Sequence, residues 1–139
     1  NEDAFCFTYG DGVGNINISE TITFHKKNNK LATVTATRPQ ARYGALQFGA
    51  NQQVHNFEEK PDGDGSWING GFFILNPSIV KHIKDDQTTW EKEPLQMLAK
   101  KNQLMAFEHK GFWQPMDTLR EKNLLEDLWL SGKAPWKTW

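Results

Sequence analysis

The chain has 139 residues, 16 basic and 17 acidic side chains and a formal net charge of −1. That length suits one domain burying roughly two-thirds of its unfolded surface, and the balanced charge excludes the basic surface that coats nucleic acid or anionic membrane. A single cysteine excludes an intrachain disulfide framework or thiolate metal site; with no run of 18 apolar residues and no signal-peptide pattern, a soluble cytoplasmic protein is expected.

Asn1 is not a methionine and an apolar run follows almost at once, so the expectation is that an N-terminal portion is missing. FCFTYGDG (5–12) predicts a short strand ending in a glycine-flanked acid, Asp11, with Cys6 as a small buried core residue. Asn17-x-x-Glu20 is a capping-box pattern that opens a helix to about Asn28. LATVTAT (31–37) is β-branched and alternating, a strand. Beyond Pro39, YGALQFG (43–49) and QVHNFEEK (53–60) bracket a Gly-Ala-Asn turn and read as a hairpin. PDGDG (61–65) is a loop, and WINGGFFIL (67–75) a strand interrupted by two glycines. Asn76-Pro77 supplies a cap and a first-turn proline for a short helix to about Ile83.

A second helix is expected from Thr89 to about Lys101, with Trp90, Pro94, Leu95 and Leu98 on or near one face. QLMAFEHKGFW (103–113) is strand-rich, and the last helix, about 118–131, carries Leu119, Leu124, Leu125, Leu128 and Trp129 on a broad apolar face. Helices alternating with strands predict an α/β fold with a mostly parallel mixed sheet. Trp129, Trp136 and Trp139 suggest a docking tail over 118–139 and, with it, a homo-oligomer.

Several signals lead nowhere. Asp-Gly-Asp-Gly-Ser (62–66) opens like a calcium loop, but Trp67 and Phe73 occupy the positions that need glycine and a bidentate glutamate. The histidines at 25, 55, 82 and 109 form no i, i+4 pair, which argues against zinc. Neither phosphate-cradling glycine motif nor a serine elbow occurs.

What remains is Asp11, Asp117 within GFWQPMDTLR (111–120), and EEKP (58–61). Two acids at strand ends, far apart in sequence, suggest one shared hard cation such as Mg²⁺, which takes one or two carboxylates plus phosphate oxygens. Lys60 beside a rigid proline suits a phosphate monoester, and Glu59 can accept hydrogen bonds from sugar hydroxyls. Gly70 and Gly71, in an otherwise bulky strand, would let a ligand approach the backbone.

With those pieces assembled, the chain resembles the C-terminal part of a sugar-1-phosphate nucleotidyltransferase. YGDGV (9–13), LATVTA (31–36), RYGAL (42–46), FEEKP (57–61), WINGGFF (67–73), EPLQMLA (93–99), GFWQPMDTLR (111–120) and APWKTW (134–139) follow the family's order along nearly the whole chain, and WINGGFF, FWQPMDTLR and APWK resemble the glucose-1-phosphate cytidylyl subgroup. The resemblance implies part of a Rossmann-like fold and transfer of a cytidylyl group from CTP to glucose-1-phosphate, giving CDP-glucose. It implies Mg²⁺ held by Asp11 and Asp117, Gly10 at the nucleotide, Lys60 on the sugar phosphate, and Glu59, Tyr43 with Gly44, and Asn69 with Gly70 along the sugar. The family's Gly-x-Gly-Thr-Arg triphosphate loop and its downstream Pro-Lys segment do not occur in these residues, so residues 1–139 correspond to the metal and sugar-phosphate half of a single domain. A non-catalytic remnant that binds sugar phosphate or serves assembly is the alternative.

Overall fold

The structure, a computed structural model, describes residues 3–39, 45–48, 50–58 and 66–139. In chain order the elements are β1 (Phe5–Thr8), β2 (Gly12–Gly14), α1 (Ile18–Asn28), β3 (Ala32–Thr37), β4 (Ala45–Phe48), β5 (Val54–Glu58), β6 (Ile68–Leu75), α2 (Glu93–Lys100), β7 (Leu104–His109), β8 (Trp113–Pro115) and α3 (Leu119–Leu130). A four-stranded sheet has the order β1-β6-β3-β7, and two ribbons, β2-β8 and β4-β5, stand beside it.

The fold is α/β with a mixed sheet. Among the described residues only β3–β7 is a parallel pairing, because β6 runs antiparallel to both β1 and β3. β1, β3 and β7 therefore share one direction and β6 is inserted against them, so parallel orientation predominates while parallel hydrogen bonding does not. Ala32, Phe73, Leu75, Ile79 and Leu98 form the buried cluster, with Trp90 and Leu95 packed against it.

Local chemistry accounts for the helices. Asn17 caps α1 by accepting from the Glu20 amide at 3.1 Å, and Asn29 ends it in the left-handed conformation. Its inner face buries Thr21 and His25, and Phe24 meets Phe107 of β7 edge-on at 5.5 Å. The stretch from Asn76 to Ile83 is a capped 3₁₀ turn. α2 starts at Glu93 and not at Thr89. Proline lacks an amide hydrogen and is tolerated only in a first turn, so Pro94 fixes the start, and Thr89–Lys92 closes as a separate turn.

The strand-rich stretch 103–113 divides between β7 and β8, which join different sheets. The break is at Gly111, where a Cβ would come within 2.5 Å of Asn15 Oδ1 and 2.8 Å of His109 Cε1. Cys6 is exposed, not buried, because β1 is an edge strand of the described sheet.

The broad apolar face of α3 buries only Leu125; Leu119 is 72% exposed, and Leu124 and Trp129 are also open. In the tail, Ala134 is buried, Trp136 stacks on Phe112 at 5.5 Å, and Trp139 is 81% exposed. Among the described residues no helix is long and apolar enough to cross a membrane.

Candidate active site

The antiparallel β2–β8 ribbon brings the two acids together. Gly12 pairs with Pro115 and Gly14 with Trp113, and past the ribbon's end the Met116 amide donates to the Asp11 carbonyl at 2.7 Å. Asp11 and Asp117 are thereby placed at the same end of adjacent strands. Both side chains are exposed, and both line one cleft of about 170 Å³. Asp117 is thus at a strand-to-helix junction, as its sequence context suggests, but not buried. α3 begins immediately after it: Thr118 Oγ1 accepts from the Glu121 amide at 3.3 Å, and the Glu121 carboxylate accepts from the Asp117 and Thr118 amides at 2.9 and 3.0 Å.

β6 supplies the cleft's other wall, Asn69 to Phe72. Its register with β1 is regular, Thr8 opposite Phe72. Against β3 it jumps, from Val34 opposite Phe73 to Ala36 opposite Asn69. A bulge of this kind re-aims side chains and frees backbone polar groups, which must find other partners. Here they do: Gly70 O accepts from Trp113 Nε1 at 2.9 Å, Gly71 N donates to Asn69 Oδ1 at 2.8 Å, and Gly71 O accepts from the Tyr9 amide at 2.9 Å. Trp113 therefore ties the strand carrying Asp117 to the strand carrying Asn69.

Tyr9, two residues before Asp11, has its hydroxyl 3.2 Å from Asn69 Nδ2. Burial, chiefly, and a hydrogen bond with Glu91 push its phenol up to about 12, so it stays protonated at neutral pH.

Of the residues marked out in the sequence, Asp11, Asp117, Asn69 and Gly70 share this cleft. Gly10 adjoins it, and a Cβ there would meet nothing within 4 Å. Lys60, Glu59, Tyr43 and Gly44 lie outside the described residues. Sequence reading missed the supporting roles of Tyr9 and Trp113. Both sit inside motifs already singled out, but their partners, Asn69 and Gly70, come from a distant strand, so no local signal marks the role.

The cleft offers the two exposed carboxylates of Asp11 and Asp117, which are hard oxygen donors, and no histidine or cysteine lines it among the described residues. Such a set fits Mg²⁺, which fills its remaining positions with water and phosphate oxygens, and does not fit zinc.

Residues 1–125 match the Nucleotidyl transferase family. The chain is 62% identical over 138 residues to the glucose-1-phosphate cytidylyltransferase of Salmonella typhimurium, covering 99% of this chain and 53% of that protein. It is 38% identical over 111 residues to a mannose-1-phosphate guanyltransferase of Yarrowia lipolytica, covering 77% of this chain and 30% of the relative. The chain spans about half the length of the curated relatives it matches most strongly. Among solved structures, HddC from Yersinia pseudotuberculosis shares the fold with a TM-score of 0.61 at 19% identity, over 89% of this chain and 54% of that one.

Proposed function

The chain belongs to the nucleotidyl transferase family, and on that premise we propose that it is the metal- and sugar-phosphate-binding half of an enzyme that transfers a cytidylyl group from CTP to glucose-1-phosphate. The observation that carries this reading is the meeting of Asp11, Asp117 and Asn69 in one cleft. The 62% identity to a cytidylyltransferase supports the choice of CTP and glucose-1-phosphate. The triphosphate loop would come from sequence outside these 139 residues.

In the proposed reaction an oxygen of the glucose-1-phosphate phosphate attacks the α-phosphorus of CTP. A new P–O bond forms, the bond from the α-phosphorus to the α,β-bridging oxygen breaks, and pyrophosphate leaves with the electron pair, giving CDP-glucose. The attacking oxygen is ionised at neutral pH, so no general base is required. Catalysis consists of holding the two phosphates in line and offsetting their charge. Asp11 and Asp117 would hold Mg²⁺, which when bound neutralises phosphate charge and polarises the phosphoryl group. Lys60 would bind the sugar phosphate as a point charge, and Gly10 would lie against the nucleotide. Glu59, Tyr43 with Gly44, and Asn69 with Gly70 would orient the sugar.

The test is pyrophosphate release from CTP and glucose-1-phosphate by the full-length protein. Asp11→Asn and Asp117→Asn should each lower kcat/KM by roughly 100-fold or more, and the double variant should be little worse, because both act through one ion. Losses that multiply would separate the two acids into different jobs, and unchanged rates would remove the site altogether.

A further inference from the structure

We propose that Tyr9 is a positioning residue that fixes the orientation of the Asn69 amide, so that Asn69 faces the bound sugar as an N–H donor and not as an acceptor. This rests on the reading of the cleft as a sugar-phosphate site.

An asparagine amide has one acceptor oxygen and two N–H donors, and the orientation in which it is held decides which of them a ligand meets. In this chain the oxygen is engaged: Asn69 Oδ1 accepts from Gly71 N at 2.8 Å. One N–H is engaged as well, directed to the Tyr9 hydroxyl at 3.2 Å. One N–H is left, on an exposed side chain that lines the cleft with Asp11 and Asp117. Turning the amide over would set its NH₂ against the Gly71 N–H, donor against donor.

Tyr9 can accept from Asn69 only if its own proton is directed elsewhere. The Glu91 carboxylate, whose influence with that of burial raises the Tyr9 pKa, is the acceptor that can take that proton and leave an oxygen lone pair for the amide. The ring is held from several sides. It meets Phe7 at 5.9 Å and Phe73 at 5.7 Å, and its backbone amide donates to Gly71 O at 2.9 Å. Gly71, at φ +78°, is pressed so close that a Cβ there would lie 2.9 Å from Tyr9 Cδ2. Tyr9 is thus the joint between the Asp11 loop and the bulged strand, and its hydroxyl alone can be removed with the ring packing kept.

The experiment uses the full-length enzyme with glucose-1-phosphate and its 2-, 3-, 4- and 6-deoxy analogues. Asn69→Ala identifies the hydroxyl that this amide reads, as the analogue whose disadvantage shrinks. Tyr9→Phe should leave Tm and kcat close to the parent, raise KM for glucose-1-phosphate by about five- to tenfold, and shrink the disadvantage of that same analogue. If Asn69→Ala erases a preference that Tyr9→Phe leaves intact, the positioning role is wrong while the sugar site stands. If Asn69→Ala changes no sugar preference, the reading of the cleft fails first, and the role of Tyr9 with it. A Tyr9→Phe variant whose Tm and kcat fall while analogue preferences hold would make Tyr9 a packing residue only.

Discussion

Gly70 and Gly71 are neighbours that exclude a side chain for different reasons. At Gly70 the obstacle is space, since a Cβ would press to 2.9 Å from the Thr35 carbonyl, whereas Gly71 combines a left-handed backbone with the close Tyr9 ring. The sequence suggested that a ligand could approach the backbone here; it could not show that the near neighbours are Thr35 and Tyr9, which arrive from distant segments. His25 makes a similar point. Its Nδ1 lies 2.9 Å from Thr33 Oγ1, and burial lowers its pKa from the ordinary 6.5, so the folded protein holds it neutral. The unfolded chain then binds more protons below pH 6.5. The stability tied to a neutral His25 is present above that pH and is lost as pH falls through the folded value. In urea titrations from pH 7.5 to 5, His25→Gln should flatten the acid-side decline of the midpoint; an unchanged slope would mean other groups govern it.

At the scale of elements, short-range signals served well and long-range ones did not. Asn17 and Asn76 act as caps where the local pattern put them, because a cap involves residues three apart or fewer. α2 starts later than helical spacing from Trp90 predicts, because Pro94 has no amide hydrogen and is accommodated only in the first turn. The antiparallel insertion of β6 was out of reach, because strand direction depends on how distant segments return to the sheet. The capping box of α3 holds the Asp117 amide as well as starting the helix. Thr118→Ala should therefore lower stability by about 1 kcal/mol, read as a reduced urea midpoint at constant slope. No change in midpoint would show that water replaces the cap without cost.

For the molecule as a whole, part of the candidate site was legible in the sequence as chemistry: Asp11, Asp117, Asn69 and Gly70 share the cleft. The bracing by Tyr9 and Trp113 was not legible, since it exists only after β1, β6 and β8 converge. A reading in which CTP is gripped by sequence beyond residues 1–139 predicts that these residues alone release no pyrophosphate from CTP and glucose-1-phosphate. A continuous pyrophosphate assay beside the full-length protein checks this, and comparable rates would overturn it. The β2–β8 ribbon also sets an order of events in biosynthesis. Asp11 leaves the ribosome before its partner strand, from Trp113 to Pro115, which follows only after the segments that form β3, β6 and β7. A nascent chain halted between β7 and β8 has every strand of the described four-stranded sheet yet holds one acid without the other. The pair that would grip the ion is thereby withheld from the cell until translation has passed every strand of that sheet.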